Sequence, residues 1–386
     1  MRVGPLSIDR TPKDRMRLSA LVDDRELWFE IPEVAQLPAT VADSFVIMGL
    51  AGSMLRDEPL TVDEANRVSR VLLDHLPEIQ NILHCWNGKF HRIPVHAVDA
   101  EPSAPLGGVA SLYSGGVDSI YTLVRHRDVL THAVFIGGFD FDIDSEQMVH
   151  AVERGRRTLE ILGKPLLVVH SNQRAWGQET GVARDFWHSA YLTAATLFFR
   201  FERVLIPSSH TYSELGPHGS HPVLDPLWSN GTTRIEYVDG ECRRSEKLAR
   251  IASDPRVLDR LHVCWRDPVK NCGMCPKCLR TMVALDLLGL EGPFPRRASP
   301  PDARSLRADN TESLSFLLDL VLLAHERGRP EMLRAAKAAV RRYDRQKALE
   351  SLDRGLLGGR LRRLRKRIRP YNPREGLTNG RPDLDL

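Results

Sequence analysis

The run Ser114-Gly115-Gly116-Val117-Asp118-Ser119 brings together residue types that handle phosphate. Adjacent glycines let a backbone come close to an anion with no Cβ in the way, and the N–H groups at the start of a helix point at it. Ser114 and Ser119 add hydroxyl donors, the Val117 N–H adds a backbone one, and Asp118 is the type of group that holds Mg2+ against phosphates. The approach from Val109 to Tyr113 is apolar and free of turn residues, which predicts a buried strand. From Asp118 onward, Ile120, Leu123 and Val124 keep helical spacing. Strand, tight turn and helix start together predict a phosphate cradle. No Gly-x4-Gly-Lys-Ser/Thr run occurs and no lysine closes this turn, so a Walker loop is excluded.

A second constellation is Cys264, Cys272, Cys275 and Cys278, spaced Cys-x7-Cys-x2-Cys-x2-Cys on a stretch containing Gly273 and Pro276. Four soft sulfurs converging on one point suit Zn2+ in a tetrahedron, and an iron–sulfur cluster uses the same four ligands. With every position a protein ligand, the expected role is structural. Of the six cysteines, Cys85 and Cys242 stand apart and are expected as buried thiols.

The elements around these motifs alternate strand and helix. Strands are predicted at His132–Ile136, Leu166–His170 and Arg203–Pro207, helices at Glu146–Leu162 and Phe186–Phe199. The fold class is α/β with a doubly wound parallel sheet, and a ligand belongs at the carboxyl ends of its strands. Those ends read Gly137-Gly138-Phe139-Asp140, Ser171-Asn172-Gln173-Arg174 and Ser208-Ser209-His210, the last a candidate acceptor-substrate contact. The segment Thr211–Asn230 is long, irregular and rich in Pro, Gly and His. Its His218, His221, Asp225 and Trp228 are candidates for acceptor contact or acid–base work, or else hydrogen-bond the loop to itself. A strand at Thr233–Val238 and a helix at Ser245–Ile251 follow.

On Ser114-Gly115-Gly116-x-Asp118-Ser119 the chain resembles the PP-loop ATP pyrophosphatases, and all five fixed positions of their signature are present. With the cysteine quartet closing on Cys278-Leu279-Arg280, the stretch from Val109 to about Leu290 resembles the 7-cyano-7-deazaguanine synthase-like proteins among them. The resemblance implies a HUP-type sheet, ATP and Mg2+ at the cradle, and cleavage of ATP to AMP and pyrophosphate. It also implies Asn172 and Arg174 as nucleotide contacts and Lys247 as the cation on the leaving pyrophosphate. The Thr211–Asn230 loop does not match the substrate loop of those proteins.

The chain has 386 residues, 42% hydrophobic and 27% charged, as in ordinary globular proteins. Its formal net charge of +4 is too small to mark a nucleic-acid binder by itself. No apolar run is long enough to cross a bilayer and Met-Arg-Val-Gly lacks a signal core, so a cytoplasmic location is expected. Residues 1–104 are expected as an accessory α+β domain: a hairpin turning at Asp23-Asp24, helices at Val41–Leu55 and Val62–Trp86, the latter opened by a Thr61/Glu64 capping box, and a strand around His91–Val98. Residues 105–292 are expected to form the nucleotide domain with the cysteine site. A linker from Pro293 to Arg304, helices at Leu314–His325 and Glu331–Leu349, and a basic amphipathic stretch from Gly359 to Pro370 make up a helical region over 293–370, followed by a disordered tail over 371–386. The basic stretch suits RNA, an acidic partner or an anionic surface.

The function expected is an ATP-dependent ligase that adenylates a carboxylate or amide oxygen of a small-molecule or macromolecular acceptor. Ammonia, an amine or a nitrogen-donor protein then displaces AMP. Two alternatives stand beside it: sulfur delivery, for which Cys242 is the awkward candidate, and a zinc-stabilised binding module with a vestigial nucleotide site.

Overall fold

The computed structural model describes residues 1–11, 14–33, 36–182, 184–308 and 310–357. The basic stretch 359–370 and the tail 371–386 lie outside the described residues. The chain divides into two compact units, Met1–Glu241 and Cys242–Leu386. None of the described helices is long and apolar enough to cross a membrane.

The first unit is built on a mixed, mostly parallel sheet of eleven described strands. Its first half supplies β1 (Arg2–Val3), β2 (Ser7–Thr11), β3 (Arg15–Val22), β4 (Arg25–Pro32), helix α1 (Asp43–Arg56), β5 (Leu60–Val62), β6 (Val68–Ser69), helix α2 (Arg70–Trp86), β7 (Val95–His96) and β8 (Asp99–Ala100). The second half supplies β9 (Val109–Leu112), α3 (Val117–Arg125), β10 (His132–Gly137), α4 (Glu146–Leu162), β11 (Leu166–Ser171), α5 (Gln173–Glu179), α6 (Arg184–Ala194), β12 (Arg203–Pro207) and β13 (Arg234–Val238). The strand order is β13-β12-β9-β10-β11-β4-β3-β1-β5-β7, with β2 on β3 and β6 paired separately with β8.

From β13 to β11 every pairing is parallel. Such strands are covered on both faces and so read as unbroken apolar runs; all four residues of β9 are buried, as are five of the six in β10. The chain winds from β9 through β10 to β11, then returns to the other side of β9 for β12 and β13. The reversal falls between β9 and β12, and loops leaving their carboxyl ends diverge to leave a crevice there.

The first 104 residues do not form a separate domain. The β3–β4 hairpin turns at Asp23, and β4 then adds antiparallel to β11, pairing Glu30 with His170 and Phe29 with Ser171. Phe29 packs edge-on against Phe45 and tilted against Phe198, at ring separations of 5.6 and 5.2 Å, so one apolar core serves both halves. The helix expected from Val62 begins only at Arg70. Thr61 instead pairs with Arg2 and His96 in the sheet, and Asp63 accepts the Ala65 N–H at 3.1 Å, so the capping box does not form. The strand expected over His91–Val98 is reduced to Val95–His96.

The second unit is helical: α7 (Arg244–Ile251), α8 (Pro255–Leu258), α9 (Pro276–Leu288), α10 (Pro300–Ser305), α11 (Thr311–Glu326) and α12 (Pro330–Leu357). The cysteine stretch belongs here, with the C-terminal helices, and not with the parallel sheet as expected from 105–292. The expected linker contains α10, whose start is closed by a Ser299/Asp302 capping box, with Arg296 bidentate on Asp302 at 2.6 and 2.7 Å. Leu317, Leu320 and Ala324 of α11 and Met332, Ala335 and Ala339 of α12 are buried along this helical core.

Candidate functional site

At the end of β9 the chain turns through Ser114 and Gly115 into α3. Gly115 has φ +79°, a region closed to most L-residues, and Gly116 is the extended N-cap. The two serines lace this turn. Ser119 Oγ accepts the Ser114 N–H at 3.2 Å, lies 3.2 Å from Ser114 Oγ and donates to the Gly116 carbonyl at 3.2 Å. Ser114 itself is exposed, Ser119 is buried and Asp118 is half-buried on the first turn of α3. The N–H groups of Val117, Asp118 and Ser119 come before the first intrahelical bond, made by Ile120, and so point out of the helix start.

The far end of α3 is pinned to the end of β13. Thr122 Oγ1 donates to Asp239, His126 Nε2 lies 2.9 Å from the same carboxylate, and Arg125 bridges Asp239 and Glu241. The helix start is therefore held against the sheet's carboxyl edge from behind.

Two residues beside this edge escaped the sequence reading. Arg154, on α4, brings Nε to 3.9 Å from where a Cβ on Gly115 would stand, and burial lowers the guanidinium's pKa. It supplies the cation that no lysine in the turn provides. Its signal in the sequence is slight, a lone arginine on the helical face shared by buried Ala151 and Thr158. Tyr237, on β13, donates Oη to the His210 carbonyl at 3.1 Å and also bonds Ser208. Burial, then the charges of Asp225 and Asp118 among others, push its phenol well above the ordinary range. Ser208, His210, Asp118 and Asp225 thus share one neighbour that strand alternation alone does not reveal.

The expected nucleotide contacts after β11 are engaged elsewhere. Asn172 accepts the Trp28 N–H at 2.9 Å and donates to the Glu26 carbonyl at 2.8 Å, which ties β11 to β4. Arg174 lies in α5 and donates to the Asp140 carbonyl at 3.0 Å, bracing the loop after β10. Lys247 belongs to α7 of the second unit, where it is 1% exposed, so it is not a solvated surface charge. Ser208 is buried and Ser209 exposed.

The Thr211–Asn230 segment is packed, with short 3-10 turns at Tyr212–Glu214 and Asp225–Trp228. Gly219 lies against α6: a Cβ there would fall 2.4 Å from the Phe186 carbonyl carbon and 2.5 Å from the His188 nitrogen. Asp225 is fully buried and acts as the strut of the loop, accepting from Ser220 Oγ and the His221 N–H, each at 2.9 Å. Burial pushes its carboxyl up to about 7 against those hydrogen bonds. His221 packs on Trp86 at 5.1 Å, and burial followed by the neighbouring His218 lowers its pKa. His218 lies 5.8 Å from His188 and 6.3 Å from His210 between ring centres, with Phe139 5.3 Å from His188. His188, a third member of this aromatic group, was not expected from the sequence because α6 brings it there.

In the second unit the ligand atoms of Cys264, Cys272, Cys275 and Cys278 all lie within 4.8 Å of one another, the one such group among the described residues. The Cys272–Cys278 and Cys264–Cys275 sulfurs are 3.9 and 4.0 Å apart, close to the edge of a tetrahedron with Zn–S bonds of about 2.3 Å. Backbone N–H groups of Asp267, Met274, Cys275 and Cys278 point at Cys264, Cys272 and Cys275 sulfurs from 3.3 to 3.4 Å and offset thiolate charge. The four residues fit a metal such as zinc. Hydrogen bonds from Cys275 and Cys278 hold Cys264 below the thiol range, while donation to Cys264 raises the other two, so one thiolate is shared until a cation replaces the protons. Cys85 is exposed and Cys242 half-buried, against the expectation of two buried thiols; on α2, Cys85 falls two residues beyond buried Leu83, on the opposite face.

No family model matches the chain, and neither a curated protein nor a solved structure matches it.

Proposed function

We propose that this protein is an ATP-dependent adenylating enzyme of the PP-loop kind. The observation that carries the reading is the Ser114–Ser119 turn: a left-handed glycine and an extended one at a helix start, laced by two serines, beside the strand-order reversal between β9 and β12. Anions bind at helix starts of this form because N–H groups converge there without side chains in the way.

In this reading the turn's N–H groups and Ser114 take the β and γ phosphates, with Arg154 alongside. Asp118 would hold Mg2+, which when bound neutralises phosphate charge. Lys247 is assigned to the leaving pyrophosphate on its place in the sequence. An oxygen of a carboxylate or amide acceptor attacks the α-phosphorus as the bond to the bridging oxygen breaks, giving an acyl or imidyl adenylate and pyrophosphate. Ammonia or an amine then attacks the activated carbon, AMP leaves with the bonding electrons, and the nitrogen loses its proton to solvent. The chain's share is to fix the triphosphate in line and to stabilise charge as it moves to the bridging oxygen. The metal held by the four cysteines is structural, since no coordination position stays open.

ATP–pyrophosphate exchange across a panel of carboxylate acceptors tests the reading, with Asp118→Asn as control. Exchange in the parent, cut roughly a hundredfold in the variant, is expected. Equal exchange in both would remove the role given to Asp118.

A further inference from the structure

The second unit holds a cleft of its own. Arg244, at the start of α7, and Arg280, on α9, set their guanidinium carbons 5.0 and 4.1 Å from the centre of the same ring, Phe316 of α11. Ser245, Thr281 and Asp319 contribute to the rest of the wall, and the cleft is small and open on one side. It therefore admits a small ion or one end group of a larger molecule.

The charges in the wall are unequal. Asp319 is 6% exposed, and its carboxylate accepts the Ser245 N–H at 2.9 Å and Ser245 Oγ at 2.6 Å, with Arg243 Nε at 3.9 Å. Its negative charge is thus turned to the start of α7, while two guanidiniums lie over one aromatic ring. The ring's face stabilises each cation singly, yet gathering both on it costs repulsion that an oxyanion between them offsets. A guanidinium is also a planar fork whose paired N–H groups match the oxygens of a carboxylate or phosphate.

We infer that this cleft is an oxyanion site, taking the carboxylate or phosphate end of a ligand between Arg244 and Arg280 over Phe316. The site is separate from the Ser114–Ser119 turn in sequence and in compact unit, and does not rest on the adenylation reading.

The test is 19F NMR of the full chain carrying 4-fluorophenylalanine at position 316, with zinc content measured on every sample. Inorganic phosphate and acetate are titrated separately at ionic strength held constant with chloride. A saturable shift with one of them is expected; saturation by phosphate assigns a phosphate end group and saturation by acetate a carboxylate. Arg244→Gln and Arg280→Gln are each expected to weaken that binding by roughly tenfold to a hundredfold. If Arg280→Gln loses zinc, Arg244→Gln, remote in sequence from the cysteines, decides. No saturable shift with either anion, or an equal response in parent and Arg244→Gln, overturns the inference. Because the label reports on Phe316, the outcome is independent of nucleotide binding at the turn.

Discussion

Replacing Gly115 by Ala separates the geometry of the turn from its composition. An ideal Cβ at this position would meet Tyr113 Oη at 3.4 Å and Arg154 Nε at 3.9 Å, so space is adequate and the cost is that of holding φ at +79°. For an L-residue that strain is about 1 to 2 kcal/mol. In a cooperative unit the size of Met1–Glu241, each kcal/mol lowers Tm by about 2 to 4 °C, so a fall of roughly 2 to 8 °C is expected. If the turn relaxes to relieve the strain, its N–H groups shift, and a displacement near 1 Å in a positioning element costs on the order of a hundredfold in rate. Differential scanning fluorimetry and pyrophosphate exchange are measured together. Gly216→Ala serves as the neutral control, because nothing lies within 4 Å of a Cβ there and its φ is not positive. A Gly115→Ala protein as stable and as active as the parent would refute the claim that this turn needs a left-handed residue. Lower stability with unchanged exchange would make the turn structural only.

Three further outcomes are expected. Gly219→Ala forces a methyl into the backbone of α6 and is expected to cost about 1 to 3 kcal/mol, read as faster amide hydrogen exchange over 211–230. Asp43 is fully buried, accepts from the Ser69 N–H at 2.8 Å and Asn230 Nδ2 at 2.7 Å, and is raised by burial to about 7 from 3.8. Its folded form then binds a proton that the unfolded form has lost between those values, so the contribution is full below about pH 4 and lost as pH climbs to about 7, at most about 4 kcal/mol. Denaturant unfolding at pH 5 and pH 8 is expected to show the parent less stable at pH 8 and Asp43→Asn with a smaller difference. The purified chain is expected to carry about one zinc, and a strong chelator to unfold the second unit while leaving sheet circular dichroism, since structural zinc supplies folding free energy directly. Full second-unit protection without metal would contradict the cluster's role.

Several elements were legible because their signals are local. The Arg203–Pro207 strand and the Glu146–Leu162 helix lie where pattern put them, the helix closed by a Ser145 cap and by Gly163 at φ +65°. The cysteine quartet was legible because short spacings on a turn force convergence. The merging of residues 1–104 into the main sheet was not, since it depends on Glu30 meeting His170 across 140 positions of sequence. The late start of α2 has the same origin: sheet partners of Thr61 outcompete its local capping preference. Arg154, His188 and Tyr237 were passed over because each gains its place from packing between elements. Asn172 shows the converse, a polar residue at a strand's carboxyl end whose amide serves the neighbouring strand.

The most direct test of the central claim is 31P NMR of the products formed from ATP and Mg2+ with an acceptor found by exchange. AMP and pyrophosphate in equal amounts, lost together in Gly115→Ala and Asp118→Asn, are expected. ADP and orthophosphate would contradict it.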